Sequence, residues 1–194
     1  AHGWCAYKLG DPTAKLLGRL TINPIKHIDP IGTIAIPILL GLLSGFSFLF
    51  GWAKPVPITT QNLKGDKRKA MALVAIAGPF ANFIMAFLWG VLFIHFFRPD
   101  PTETSSVYMF FSEMSKAGFI FNIVLIAVNV LPIPPLDGSK VLSNLLPPKY
   151  AYYFDKVEPY GFFIIILLCA THLIGILIKP IINGLIYFFI MLLS

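Results

Sequence analysis

The sequence contains few charged residues. Asp, Glu, Lys and Arg make up 12% of its 194 residues, about half of the roughly 25% that is usual in a soluble domain. This leaves too little polar surface to cover a globule in water. The apolar residues are also gathered into runs close to the roughly 20 residues needed to cross a bilayer core. The sequence therefore predicts an all-α, polytopic integral membrane protein.

Cysteine is scarce as well. The two cysteines, Cys5 and Cys169, lie in apolar surroundings, which argues against a disulfide framework and favours a role as small buried apolar residues. The chain lacks an initiator Met and opens with Ala-His-Gly-Trp, without the charged region that leads into a signal peptide. We therefore expect that the sequence starts part-way through a longer protein.

The net charge of +6 does not indicate a nucleic-acid-binding surface. Basic residues cluster at the ends of apolar runs, as in residues 64–69, where the positive-inside rule expects them. No basic stripe with interleaved aromatic residues lies outside the apolar runs. The sequence predicts the lipid bilayer as a partner and no nucleic acid.

Five apolar runs organise the chain. No internal repeat separates them, and no segment resembles an appended soluble domain. We therefore predict a single intramembrane domain over residues 1–194, with a core in residues 1–140 and C-terminal helices in residues 160–194. The runs occupy residues 31–50, 71–97, 118–131, 160–178 and 181–193, with a polar loop at 98–117 and a surface loop up to residue 159.

The strongest chemical signal lies at residues 129–138, which read Asn-Val-Leu-Pro-Ile-Pro-Pro-Leu-Asp-Gly. Three prolines within four residues cannot continue a helix. Broken backbone at membrane depth is tolerated only where it is buried in protein or lines a wet cavity, and ionisable residues there are functional candidates. Spacing alone leaves two roles open for Asp137: a site residue, or the start of an aqueous loop where it caps the next helix.

This segment resembles the Asn-x-x-Pro-x-Pro-x-Leu-Asp-Gly motif of the site-2 protease family of intramembrane zinc metalloproteases, and matches it at every specified position. The resemblance implies that Asp137 is a zinc ligand. The opening Ala-His-Gly-Trp resembles the end of His-Glu-Phe-Ala-His-Gly-Trp in the subgroup without large appended domains. His2 would then be a second ligand, and another His and the general-base Glu would precede Ala1. Without the resemblance, a lone His in an apolar segment is usually a packed or interfacial residue.

The resemblance covers roughly residues 1–140 and includes residues 10–15, 27–30, 51–57 and 77–82. It implies that Asn129 bonds the oxyanion or the substrate backbone, although a buried Asn can equally bond a neighbouring helix. Asn82 could likewise bind substrate or bond a neighbouring helix, and the second role, helix packing, is favoured. The other histidines lack a metal-binding partner one helical turn away and are interpreted as packed or interfacial; they are His27, His95 and His172.

The family resemblance implies a Zn²⁺ cofactor held by two His and one Asp, with an open position for water that a Glu deprotonates. The implied substrate is a transmembrane segment of another membrane protein. Asn129 is the implied catalytic residue. Two other functions stay open. One is a transporter-like or channel-like protein, in which the broken helix marks a substrate path. The other is a catalytically inactive family member.

The distribution of Lys and Arg predicts the topology. If residues 31–50 crossed the membrane, 8 basic residues would lie on one side and 7 on the other. If they entered and left by the same face, the division would be 12 against 3, which the positive-inside rule prefers. We therefore predict a re-entrant segment at residues 31–57, and an active-site end that faces the cytoplasm of a prokaryotic cell, in its plasma membrane.

Overall fold

The structure, a computed structural model, describes residues 1–21, 23–46, 49, 51–97 and 105–193. Throughout these residues the regular secondary structure is helical, which confirms the predicted all-α class. The chain forms two compact units. The N-terminal unit is His2–Ala70, and the C-terminal unit is Met71–Ser194 together with Ala1. The single domain over residues 1–194 stays a prediction.

The N-terminal unit contains short helices joined by long connections. Helix α1 (His2–Lys8) ends before Gly10, whose φ of 107° is a conformation that glycine adopts without strain. Helix α2 (Thr13–Leu16) and a 3₁₀ turn (Pro24–His27) follow. Small residues allow α1 to pack closely, because a Cβ on Gly3 would lie 2.9 Å from the side chains of both Leu20 and Val56.

The uncharged run at residues 31–50 forms a helix too short to span a bilayer. A π-helical stretch (Pro30–Ala35) continues directly into α3 (Ile36–Ser44), and the 15 residues extend about 22 Å, against about 30 Å of hydrocarbon. The helix stops where Gly45 and Phe46 both have φ near 60°. Residues 47, 48 and 50 of the predicted segment lie outside the described residues.

The two ends of this segment, the 30–52 hairpin, are joined by hydrogen bonds. The amide of Trp52 donates to the carbonyl of Gly32 (3.0 Å), and the hydroxyl of Thr33 donates to the carbonyl of Trp52 (2.8 Å). One step outside, the amide of Lys54 donates to the carbonyl of His27 (3.0 Å). A segment with joined ends returns to the side from which it starts. The joined ends agree with the predicted re-entrant segment, which stays a prediction about the membrane.

The C-terminal unit is built on long apolar helices. Three helices in the described part of the chain are long and apolar enough to cross a membrane, which bears out the polytopic prediction. They are Lys67–Phe96 (α4, Lys67–Val91, with a π-helical end), Ser106–Asn129 (α5) and Leu173–Leu193 (α9). Their shared core centres on Phe189, whose ring lies 4.9 Å from that of Phe83 and 5.7 Å from that of Phe119.

The sequence prediction was wrong about several helix ends. The predicted polar loop at 98–117 contains the first turns of α5, which Ser105 caps by accepting from the amide of Tyr108. The predicted surface loop up to residue 159 contains α6 (Asp137–Leu145) and α7 (Pro148–Asp155).

The predicted span at residues 160–178 is also wrong. Helix α8 (Gly161–Ala170) stops early because His172 adopts a left-handed conformation, with φ of 58°. No glycine or proline in the sequence signals this turn. Helix α9 then continues through Pro180, so that the break falls at residues 171–172 rather than at the predicted residues 179–180. The last helix is consequently long rather than short.

Candidate active site

The predicted zinc ligand His2 is the first residue of α1 and is partly buried. Gly3 and Ala6, on the same face of α1, are buried. The chain just after α1 makes the hydrogen bonds that hold this helix in place.

Asp11 forms those contacts. Its carboxylate is fully buried and accepts hydrogen bonds from the amide of Thr59 (2.7 Å), the side-chain amide of Asn62 (3.0 Å) and both the amide and hydroxyl of Thr13. Burial acts to raise the pKa of Asp11, but the bonds from Thr13, Asn62 and Thr59 outweigh it and hold the pKa below its usual value. The end of α1 is thus fixed to the chain that leads into α4.

Arg19 holds the base of the 30–52 hairpin in a similar way. It is nine-tenths buried, and its guanidinium donates to backbone carbonyls on both sides of the hairpin: those of Lys26, Lys54 (2.8 Å) and Pro55 (3.4 Å). Within the described residues the Arg19 Nε–H has no hydrogen-bond partner. Sequence reasoning missed both Asp11 and Arg19. The signal was available, because both are charged residues in a chain that has few.

The prolines of the motif end α5 at Asn129, and α6 begins at Asp137. The intervening chain makes a turn in which the amide of Leu136 donates to the carbonyl of Ile133 (2.9 Å), and the Pro134–Pro135 bond is cis. Asp137 is partly buried and occupies the first turn of α6, where the helix dipole favours a negative charge. This position suits a ligand and a helix-capping residue equally, so the role of Asp137 stays a prediction.

Gly138 explains how Asp137 comes close to the end of α5. A Cβ at Gly138 would lie 2.2 Å from the carbonyl oxygen of Val130 and 2.6 Å from that of Leu131. Such contacts are possible only for glycine, because both neighbours are backbone atoms that a side chain cannot displace. The motif glycine therefore allows the start of α6 to pack directly on the last turn of α5.

An apolar groove, here called the Asn129 groove, lies beside this contact. Its volume is about 370 Å³. Within the described residues no hydrogen bond reaches the side chain of Asn129, although that of Asn122, two turns earlier, donates to the carbonyl of Gly118. The groove is lined by Ile76, Pro79, Asn129, Val130, Pro132, Gly138, Val141, Leu142 and Leu145. Asn129 thus presents an uncommitted amide to an apolar surface.

The remaining polar candidates occupy separate places. The ring of His27 bonds the carbonyl of Thr21 (3.0 Å), a local contact near the hairpin base. His95 lines a second apolar cavity of about 650 Å³ together with Lys116, and His172 lies in the turn between α8 and α9. Asn82 is partly buried in α4, and its predicted packing role stays a prediction.

Zinc accepts the imidazole and carboxylate donors that His2 and Asp137 offer. His2 belongs to the N-terminal unit and Asp137 to the C-terminal unit. Among the residues that the structure describes, no three His, Cys, Asp or Glu side chains are gathered as a metal site. The common zinc ion therefore stays a prediction from the motifs.

The chain is similar to several curated proteins. It is 40% identical over 188 residues to "Putative zinc metalloprotease YwhC" of Bacillus subtilis, an alignment that covers 95% of this chain and 80% of that protein. The chain belongs to the site-2 protease family of zinc metalloproteases. "Putative zinc metalloprotease Rip2" of Mycolicibacterium smegmatis is 30% identical over 88% of this chain and 61% of its own length. An archaeal relative, "Putative zinc metalloprotease MJ0611" of Methanocaldococcus jannaschii, is 39% identical over 36% of this chain.

No family model matches the chain, and no solved structure matches it. The relatives support a zinc metalloprotease, and the three apolar helices support a membrane protein. Both agree with the activity and the setting predicted from the sequence motifs.

Proposed function

We propose that the chain is the catalytic core of an intramembrane protease, which hydrolyses peptide bonds within or near transmembrane segments of other membrane proteins. The observation that supports this most directly is the uncommitted Asn129 amide, which faces an apolar groove at the break of a transmembrane helix. An unpaired amide in an apolar setting is costly, and a bound peptide backbone would satisfy it.

The proposed roles follow the family motifs. His2 and Asp137 would hold the zinc ion, together with the further His ligand and the general-base Glu that the family motif specifies. Zinc in such a site acts as a Lewis acid and lowers the pKa of water. Asp137 is supported for this task by the N-terminus of α6 and by the backbone contact at Gly138. Asn129 donates a hydrogen bond to the substrate carbonyl, whose oxygen becomes more negative during attack.

Zinc content and cleavage test this proposal together. In the full-length protein purified in detergent, His2→Ala and Asp137→Ala should each lower bound zinc, measured by mass spectrometry. Cleavage of a membrane-spanning reporter should fall further than the roughly 10–100-fold that loss of a supporting group costs. The matched controls are His95→Ala and Glu113→Ala, which remove an imidazole and a carboxylate of the C-terminal unit that have no proposed role in zinc binding.

Each outcome has a distinct meaning. Zinc content that neither site variant changes would refute the proposed ligands. A wild-type protein that binds zinc through both residues but cleaves no membrane-spanning reporter would favour the catalytically inactive family member instead. A wild-type protein that binds no zinc would favour the transporter-like alternative.

We also propose that the hairpin base and the metal end of the protein face the cytoplasm in a prokaryotic plasma membrane. Support comes from the basic residues around the joined ends of the hairpin, including Lys26, Lys54 and Lys64. Cysteines introduced at Thr21 and Lys64 should both react with a membrane-impermeant maleimide only after the cells are opened. Labelling of the two positions from opposite sides would contradict the re-entrant hairpin, and labelling of both from outside would reverse the orientation.

A further inference from the structure

We propose that the Asn129 groove is a specificity subsite that takes a large apolar side chain from an unwound stretch of the substrate. This deepens the proposed function and rests on it. Leu142 and Leu145 on α6, together with Ile76 and Pro79 on α4, would be the residues that select that side chain. None of them has a reactive group, so their contribution is to binding rather than to the chemical step.

The wall on α6 is continuous. Gly138, Val141, Leu142 and Leu145 recur at the spacing that places residues on one face of a helix. Gly138 sits against the end of α5, and the other three extend the apolar surface away from it. The groove therefore begins one residue from Asp137, so that a side chain seated in it belongs to a residue close to the bond that is cut.

The groove has room for a large apolar side chain, since its volume is about 370 Å³.

The polarity of the groove points to the same occupant. Within the described residues the Asn129 side chain has no hydrogen-bond partner, and an amide can both donate and accept. An extended peptide has free backbone groups to satisfy it, whereas those of a helix are already paired. The rest of the lining is apolar, so a charged substrate side chain would be buried without a partner, at a large cost in free energy. The subsite should accept Leu, Ile, Met or Phe and reject Asp and Lys.

Changing the volume of the subsite tests its selectivity. For a membrane-spanning model peptide that the full-length protein cleaves, one position at a time near the cut would be varied among Ala, Leu and Phe. At the position that enters the groove, Leu142→Trp should lower kcat/KM for the Leu and Phe peptides at least about tenfold and spare the Ala peptide. Leu142→Ala should shift the preference towards Phe. The control, Leu167→Trp, changes an exposed leucine of α8 and should alter none of the ratios.

A cross-linking test does not require catalysis. In a protein with Cys5 and Cys169 replaced by Ala, and with copper phenanthroline added as the oxidant, Leu145→Cys should form a disulfide with a single cysteine in the apolar part of the model peptide. Leu167→Cys should not. If Leu145→Cys fails to cross-link, or if Leu142→Trp slows all peptides equally, the subsite is wrong even when zinc-dependent cleavage is intact. If cross-linking succeeds without any cleavage, the subsite stands as a peptide-binding groove and the protease function is wrong.

Discussion

Between His2 and Ala70 a buried carboxylate and a buried guanidinium bind distant parts of the chain, mostly through backbone groups. From Met71 onwards the core that joins the helices is instead made of aromatic and aliphatic side chains, and the buried Ser115, Asn122 and Ser139 bond carbonyls only three or four residues earlier. The difference follows from the lengths of the elements. Short helices with long connections leave many backbone carbonyls and amides to satisfy, whereas long helices satisfy their own and need only shape complementarity.

The two units should therefore respond to different substitutions. Removing a buried polar group should loosen the N-terminal unit, because several backbone partners lose their hydrogen bonds at once. Adding a methyl group should damage the C-terminal unit wherever a glycine touches backbone. Hydrogen exchange measured by mass spectrometry in detergent separates the two responses, because it reports on each segment of the chain.

The largest effect is expected at Gly138. Gly138→Ala places a Cβ against the carbonyl oxygen of Val130, and this clash with backbone should lower the free energy of unfolding by more than about 3 kcal/mol. Zinc-dependent activity should be lost with it. The control, Gly184→Ala, lies in α9 with no neighbouring atom within 4 Å and should leave the protein as stable or up to about 1 kcal/mol more stable. Equal thermal stability of the two variants would show that the contact at Gly138 is not as close as described.

A smaller effect is expected at Arg19. Arg19→Met keeps the apolar stem but removes every donor to the carbonyls of Lys26, Lys54 and Pro55. The free energy of unfolding should fall by about 2–3 kcal/mol. Amide exchange should rise at the two ends of the 30–52 hairpin and stay unchanged in α5 and α9. Lys69→Ala, which removes an exposed charge, serves as the control. A uniform rise in exchange across both units would contradict the assignment of Arg19 to the hairpin base.

The sequence predicted the class and the family because each has a signal that is read along the chain: low charge and a ten-residue motif. The bias of Lys and Arg predicts the re-entrant hairpin, which the labelling experiment tests. The sequence could not locate the turn at His172, since a left-handed conformation at a residue other than glycine is imposed by packing rather than by local preference. It also placed a break between residues 178 and 181, at Pro180, although a proline within a membrane helix can be accommodated.

The candidate site was predicted only in part. The motif singled out Asn129 and Asp137, and the structure adds the groove that Asn129 faces and the close contact at Gly138. The walls of that groove could not be foreseen, because Ile76 and Leu145 are ordinary apolar residues until α4 and α6 bring them together. Asp11 stands out in the sequence as a charged residue, but its role could not be predicted, for a different reason. Its partners Thr59 and Asn62 follow it by about fifty residues and carry no charge.

The smallest effect is expected at Asp11, and it should depend on pH. The pKa of Asp11 is lower in the folded protein than its usual value, about 3.9. The stabilisation is therefore fully present above that value and is lost as the pH falls through the lower, folded pKa. Asp11→Asn removes the charge and sets a donor against the amide of Thr59, which should cost about 1–2 kcal/mol at neutral pH.

The pH dependence distinguishes this role from simple packing. The difference in thermal stability between wild type and Asp11→Asn should be largest at neutral pH and should narrow below about pH 4, where the wild-type carboxylate begins to be protonated. Asp66→Asn, which changes a carboxylate at a more exposed position in the same unit, provides the control. A difference that stays constant down to low pH would mean that Asp11 contributes through its shape and not through its charge. Of the two buried charged residues described in the N-terminal unit, Arg19 alone would then stabilise it through its charge.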